Sequence, residues 1–520
     1  MRIDSPGNLG RYLREQRRVA GFNQTDLAAA AGVSRRWLAD LEAGKPSVEL
    51  GLALRVIAAL GQFVDVQPGS TTNFDLDTYL EPPTTAAQQS TTRTLVAVLG
   101  GVRIGTLTQS AGGKLTFSYD HDYRQSPDAM PLSLSMPLSA ADHDGPEVRA
   151  FCRGLLPDND GVLERWGRDF HVSAGNPFAL LNHVGEDCAG AVQFVGPDRL
   201  RVMLAGLGSV EPLTEEQVAG RLRALRRDSS AWHLSSGGQF SLAGAQAKTA
   251  LHWDAISGQW GDPSGVVPTT HILKPAITGF DDHDLNEHLC LRAARLAGLR
   301  TASTSVRSFA GERAIVIERY DRRSGPRGSV VRVHQEDICQ SLGVLPTTKY
   351  QNEGGPSPEQ IVALIRRAVG PPTVAETEVG RFVDALALNW LIAGTDAHAK
   401  NYSLLITAWQ VRLAPLYDVA SILPYDDVHL PKLRLAMRIG TEYRVTAITG
   451  RRWATFAERN GLDPERVVAR VGELAALLPG AFRKAAADDD VVALDSDLPA
   501  MLADRVAEHV ERCQAALARR

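Results

Sequence analysis

Asp396 stands five positions before Asn401 in the run Gly394-Thr395-Asp396-Ala397-His398-Ala399-Lys400-Asn401. A second aspartate, Asp418, follows a short apolar run, Val411 to Ala414, that reads as a strand, and sits within Pro415-Leu416-Tyr417-Asp418-Val419-Ala420-Ser421. That order suits phosphoryl transfer. One carboxylate orients an attacking hydroxyl and takes its proton, while an amide and a second carboxylate hold Mg²⁺ against phosphate oxygens. Asp396 is then the candidate base, and Asn401 and Asp418 the candidate metal ligands. Alone the signal is weak, because D-x-x-x-x-N recurs by chance and a helix end with a capping aspartate reads the same way.

Other residues supply the remaining parts of a nucleotide site. Ser241-Leu242-Ala243-Gly244-Ala245-Gln246-Ala247-Lys248 is a turn of small residues whose backbone N–H groups can approach phosphate oxygens, with Lys248 at its end. A strand later, Lys274 ends the run Thr270-His271-Ile272-Leu273-Lys274, where a buried ammonium needs an anionic partner. Glu287, in Asn286-Glu287-His288-Leu289-Cys290, opens the next helix and can pair with Lys274. Ile315 to Asp321 reads as a strand leading into a hinge, with Glu318 and Tyr320 placed to meet adenine through the backbone. His398 and Lys400, inside the D-x-x-x-x-N run, complete the expected ATP contacts. The order of small-residue turn, lysine strand, glutamate helix, hinge, D-x-x-x-x-N and second aspartate is that of protein kinases.

Several elements must hold these residues. A chain of 520 residues exceeds one ordinary core, so two or three domains are expected. Its 44% hydrophobic and 22% charged content excludes wholesale disorder, and 56 basic against 60 acidic residues exclude a globally basic nucleic-acid binder. Five scattered cysteines without a C-x-x-C pair indicate neither a zinc ribbon nor a disulfide framework. No apolar run approaches the roughly 20 residues of a membrane span, so no membrane is expected and the location is read as cytoplasmic.

The segment 69–92 is rich in Thr, Ser, Gln and Pro and reads as a linker that spans several nanometres if extended. After it, Thr94–Leu99 and Arg103–Leu107 read as strands joined by Gly100-Gly101, and beyond about residue 375 the pattern turns helical. Before it, residues 9–67 resemble a five-helix Xre/Cro-type helix-turn-helix domain. Asn23 caps one helix, Gly32 ends it, and Ser34 caps a recognition helix that turns Val33, Leu38 and Leu41 inward and Arg35 and Arg36 outward. Arginines there can read guanine in the major groove. Gln24 resembles the phosphate-contacting glutamine of such domains, Lys45 is a further phosphate contact, and Trp37 is a bulky departure that packs on thymine methyls or a protein interface. Specific readout by so small a module calls for a dimer and a pseudo-palindromic operator.

The chain is identified as a member of the HipA family over roughly residues 93–510. The resemblance rests on Leu132 to Ser139, Phe151 to Pro157, the Ala243-Gly244-Ala245-Gln246 turn, His334 to Gln340, and Thr395 to Asn401. It implies a multidomain α+β chain: a HipB-like helix-turn-helix domain at 1–68, the linker at 69–92, and a HipA N-terminal subdomain at 93–200. A β-rich kinase lobe at 201–330 and a helical lobe at 331–520 follow. It also implies a serine/threonine protein kinase toxin that uses ATP and Mg²⁺ and phosphorylates protein targets, aminoacyl-tRNA synthetases among them. Self-phosphorylation of Ser241 would expel the loop, since a phosphate there puts about two negative charges where the nucleotide phosphates must sit. Operator DNA bound through residues 1–68 and a homodimer complete the expectation. Two alternatives stay open: a repressor built on a catalytically silent scaffold, and a small-molecule kinase of aminoglycoside-kinase type.

Overall fold

The computed structural model describes residues 6–45, 49–62, 93–232, 240–277, 279–325, 329–425 and 429–519. They belong to two compact units, 1–89 and 90–520. The expected fifth helix and the linker at 69–92 lie outside the described residues.

In the first unit, helices α1 (Pro6–Val19), α2 (Gln24–Ala31), α3 (Arg35–Glu42) and α4 (Leu50–Ala59) enclose Leu13, Leu27, Leu38, Leu41 and Val56. The helix ends follow local chemistry. Asn23 Oδ1 accepts from the N–H groups of Thr25 and Asp26, Gly32 takes the left-handed φ of 64° that ends α2, and Ser34 Oγ accepts from the Trp37 N–H. Beneath them, Glu42 accepts a bidentate pair of bonds from Arg17 at 2.6 and 3.1 Å and a third from Gln24 at 3.0 Å.

The second unit opens with an antiparallel sheet of β1 (Arg93–Leu99), β2 (Val102–Gln109), β3 (Leu115–Tyr119), β4 (Asp142–His143) and β5 (Val192–Val195), in the order β4-β3-β2-β1-β5. Gly100 and Gly101, at φ of 60° and 84°, make the tight β1–β2 turn, which a side chain would strain. The helices Pro146–Gly154, Asp160–Asp169 and Pro177–Val184 contribute Phe151, Trp166 and Phe178 to the core of this part.

A second sheet combines β6 (Gly208–Leu213), β7 (Thr249–Asp254), β8 (Gln259–Gly265), β9 (His271–Pro275), β10 (Thr304–Phe309) and β11 (Glu312–Glu318), ordered β10-β11-β9-β7-β8-β6. The helix His283–Leu296 packs on β10 and β11; it begins a turn earlier than the sequence suggested. After the hairpin β12 (Arg322–Ser324) and β13 (Val330–Arg332) comes a small sheet of β14 (His334–Asp337), β15 (Ser403–Ile406) and β16 (Val411–Leu413). Long helices, Pro372–Leu391, Pro464–Ala486 and Leu498–Leu517 among them, bury the largest core around Phe382, Trp390, Trp453 and Phe482. β16 falls where a strand was expected, at 411–414, whereas β15 and the hairpin β17 (Arg434–Ile439) and β18 (Glu442–Arg444) interrupt a region read as helical. Short strands bounded by turns leave too little periodicity to stand out in such a stretch.

The two larger sheets meet at a buried group of charges. Asp187 accepts from Arg322 and Arg332 at 3.0 Å each and from Thr269 Oγ1 at 2.6 Å, while Asp321 pairs with Arg319 at 2.9 Å and Arg322 at 3.0 Å. Arg319 and Arg322 also donate to the Cys188 carbonyl. Burial works against the charge on Asp187, yet Arg322, Arg332 and Arg319 outweigh it and hold the carboxyl well below the usual carboxylate range. A carboxyl depressed in the folded state stabilises above its unfolded pKa, near about 3.9, and that contribution fades as pH falls below it. Asp187→Ala, which leaves the arginines uncompensated, should cost about 3–5 kcal/mol in urea denaturation. Its stability should also fall less steeply than that of the wild type between about pH 5 and pH 3.

Candidate active site

The loop between Ser241 and Lys248 is shaped by its own lysine. Lys248 Nζ donates to the Ala243 carbonyl at 2.6 Å, and Gly244 passes this ammonium at φ 104°. A Cβ on Gly244 would lie 2.6 Å from the movable end of Lys248 and would displace it, and the φ of 104° is what favours glycine there. Burial, then repulsion from Lys274, pushes the Lys248 ammonium down to about 8. The loop is fastened from outside by the Asp158 N–H, which donates to the Gly244 carbonyl at 3.1 Å, and by Asn159, whose Nδ2 reaches the Ala245 carbonyl at 3.4 Å.

On β9, Lys274 is buried and fully engaged. Its Nζ lies 2.9 and 3.0 Å from the two oxygens of Glu287 and 2.7 Å from Asp418 Oδ1. Burial opposes the charge on Lys274, but Asp418 and Glu287 more than restore it and hold the ammonium above its ordinary range. Desolvation likewise opposes ionisation of Asp418, and the Lys274 and Lys248 charges overcome it and keep the carboxyl well below the usual range. Asp418 takes a left-handed φ of 57°, a conformation that aspartate tolerates better than most side chains and that clusters at working sites.

Asp396 and Asn401 share one tight turn after the helix Pro372–Leu391. Asn401 Nδ2 donates to the backbone carbonyl of Asp396 at 3.0 Å, which leaves its amide oxygen as the donor atom for a hard cation. The His398 N–H bonds the same Asp396 carbonyl at 2.8 Å, and burial followed by the Lys349 charge lowers the imidazole below its ordinary pKa. Gly394 approaches Asn389 so closely that a Cβ would sit 2.5 Å from Asn389 Oδ1.

Ala243, Gly244, Ala245, Gln246, Lys248, Lys274, Glu318, Tyr320, Asp396, His398, Lys400, Asn401 and Asp418 line one cavity of about 470 Å³, a size suited to a small ligand. Gln246 Nε2, His398 Nδ1, His283 Nδ1 and Asp158 Oδ1, on residues of its wall, are buried without a hydrogen-bond partner. Buried polar groups left without a hydrogen bond are costly, so Gln246, His398 and His283 fit a polar ligand that would satisfy them, while Asp158 Oδ1 faces the Lys400 ammonium at 3.9 Å. Asn401 and Asp418 offer the hard oxygen donors that Mg²⁺ takes alongside phosphate oxygens.

Three expected contacts are altered. The Lys400 ammonium is committed to Asp337 at 2.7 Å, with Asp158 at 3.9 Å, so it ties β14 to the Asp396 turn. The Glu318 N–H is spent on the Ser303 carbonyl and the Arg319 N–H on Thr270, so adenine cannot use either donor. Ser241 is wholly buried and does not line the cavity; its hydroxyl donates to the Leu155 carbonyl at 2.8 Å and its N–H to the Asp187 carbonyl. Asp158, Asp337 and Lys349 on the wall, and Tyr350 beside it, escaped the sequence reading. Asp337 lay inside a quoted motif without a role, and the other three carried no spacing signal.

In the helical unit, Arg35 and Arg36 are exposed at the start of α3. Trp37 departs from expectation: it is half-buried against the helical core, where Leu38 and Leu41 draw that face of α3 inward. Gln24 is held by Glu42, Lys45 pairs with Asp40 at 3.0 Å, and Ser34 serves as the helix cap.

Residues 95–195 match the model of the HipA N-terminal domain, 240–482 that of the HipA-like C-terminal domain, and 8–68 that of a helix-turn-helix domain. Y4mE of Sinorhizobium fredii is 36% identical over 419 residues, covering 80% of this chain and 97% of the relative. The serine/threonine-protein kinase toxin HipA of Shewanella oneidensis is 28% identical over 441 residues, 81% of this chain and 96% of its own. The transcriptional regulator y4mF of S. fredii is 40% identical over 65 residues, 12% of this chain and 86% of the regulator. Among solved structures, the S. oneidensis complex of HipA, HipB and operator DNA has a chain that matches with a TM-score of 0.69 and 27% identity, over 81% of this chain and 98% of that one.

The Gly244 geometry gives a check that is independent of any ligand. Gly244→Ala should displace the Lys248 ammonium from Ala243 and loosen the loop by about 1–3 kcal/mol. Amide hydrogen exchange at residues 242–248 should quicken accordingly while the β1–β5 sheet stays protected.

Proposed function

The chain belongs to the HipA family of kinases and carries a helix-turn-helix unit, and on that premise we propose that it transfers the γ-phosphoryl group of ATP to a serine or threonine hydroxyl of a protein. The observation that carries this reading is the convergence of Lys274, Glu287 and Asp418 with Asp396 and Asn401 on one cavity that has partnerless polar atoms in its wall. Lys274 and the backbone of residues 243–246 bind the nucleotide phosphates, and Glu287 keeps the lysine aimed. Asn401 and Asp418 hold Mg²⁺, which when bound neutralises charge on the phosphate oxygens. Asp396 orients the acceptor hydroxyl and accepts its proton as the oxygen attacks. The apolar end near Ile272, Ile317 and Tyr417 takes adenine.

Ser241 is the self-phosphorylation site in this reading. Its buried hydroxyl becomes an acceptor only after the loop leaves Leu155 and Asp187, so phosphorylation and closure of the loop exclude each other. The chain acts as the toxin kinase of a toxin-antitoxin pair, with a translation component such as an aminoacyl-tRNA synthetase as its target. The helical unit binds operator DNA as a dimer through Arg35 and Arg36, with its own complement of phosphate contacts. The S. oneidensis complex, in which a HipA relative is found with HipB and operator DNA, supports that part.

Asp396→Asn should lower label transfer from γ-labelled ATP by about 100-fold or more while ATP still stabilises the protein against heat. Transfer at the wild-type rate would refute the assignment of the base. For the helical unit, the Arg35→Ala/Arg36→Ala double variant should lose preference for the operator over random duplex in a gel-shift titration at fixed salt. Undiminished preference would show that α3 does not read the bases.

A further inference from the structure

Asp396 has one oxygen already in use. Tyr350 Oη donates to its Oδ1 at 2.5 Å, while among the described residues no hydrogen bond reaches Oδ2. A terminal carboxylate torsion is broad and roughly two-fold, so an unrestrained Asp396 would present either oxygen at many angles. Holding Oδ1 removes that freedom and leaves Oδ2 as the atom that meets the acceptor.

The loop that carries Tyr350 is itself pinned. The Lys349 carbonyl accepts from the Ala399 N–H at 3.3 Å, inside the turn that bears Asp396. The Tyr350 carbonyl accepts from the N–H groups of Glu353 and Gly355, at 3.1 and 2.9 Å. Its ring stands edge-on to His398 with centroids 4.9 Å apart, and Lys349 Nζ lies 5.7 Å from its centre. Beyond it, Gln351 Oε1 accepts from the Arg438 N–H at 2.9 Å. A tyrosine whose ring and flanking backbone are both held in this way is a brace; a displaceable plug over the carboxylate would hang from a looser segment. Burial also raises the phenol above its ordinary pKa, so the hydroxyl stays a donor throughout the neutral range.

We propose that Tyr350 is a positioning residue for phosphoryl transfer: its hydroxyl clamps Oδ1 of Asp396 so that Oδ2 faces the acceptor hydroxyl. This rests on the kinase reading, with Asp396 as the base. Tyr350 touches neither nucleotide nor acceptor and acts only through the aspartate.

The test uses the full chain, γ-labelled ATP with Mg²⁺, and two acceptors, the chain itself and myelin basic protein. Tyr350→Phe keeps the ring contacts with His398 and Lys349 and removes only the hydroxyl. Its transfer rate at saturating ATP should fall about 10-fold or more, as expected for a lost hydrogen bond to a charged group. The ATP concentration for half-maximal rate and the melting temperature should stay unchanged. In an Asp396→Asn background the same substitution should add nothing, because the two act as one unit. An unchanged rate, a faster rate, or a change confined to ATP half-saturation would overturn the proposal. Two results separate the readings: an inactive Asp396→Asn with a fully active Tyr350→Phe removes Tyr350 alone. A fully active Asp396→Asn, or a wild type that labels neither acceptor, removes the kinase reading and the brace with it.

Discussion

Five charged side chains, two aspartates and three arginines, sit out of water where the β1–β5 sheet, the β6–β11 sheet and the β12–β13 hairpin come together. Isolated charges of this kind are expensive to bury, and they persist here because nearly every lone pair and donor is matched. Asp187 takes Thr269 and two arginines, Asp321 takes the Gly190 N–H, and the arginines give further donors to the carbonyls of Val266, Thr269, Cys188 and Gly190, with Arg332 Nε left without a partner. Such a cluster tolerates few alternative arrangements. Its satisfaction fixes the angle between two sheets, the start of the 241–248 loop through the Asp187 carbonyl, and the strand end that leads to Tyr320.

From that junction the order propagates into the cavity. β14 runs beside β15, and at its end Asp337 caps a short helix and grips Lys400, one residue before Asn401. Gln340 reaches back to the Phe151 carbonyl, and its own carbonyl accepts from Ser133 and Ser135, so the N-terminal sheet region bears directly on the turn that carries Asp396. The N-terminal subdomain is therefore part of the frame of the cavity, since Asp158 and Asn159 hold the 243–246 loop in its wall.

Much of this was legible in the sequence because local rules wrote it. Asn23, Gly32 and Ser34 mark helix ends by capping chemistry, Gly100-Gly101 marks a hairpin, and the motif around Asp396 to Asn401 carries its spacing openly. What stayed hidden depends on residues far apart in the chain. Asp187 and Arg332 are separated by 145 positions, and Tyr350 and Asp396 by 46, so no periodicity or motif joins them. The burial of Trp37 was not legible because one helix turn cannot show which of its sides α1 and α2 will cover. Lys400 lines the cavity, yet its pairing with Asp337 could not be read from the motif, because that partner arrives only with the tertiary fold.

The division at residues 89 and 90 carries one more consequence. In S. fredii the stretches that match the two units belong to separate polypeptides, y4mF and Y4mE, whereas here one ribosome delivers both. Their molar ratio is one to one at the moment of synthesis and stays so in every surviving molecule. Neither unit can accumulate or decay ahead of the other unless the peptide between them is cut, so the proportion of the two becomes a matter of backbone integrity and no longer of relative expression.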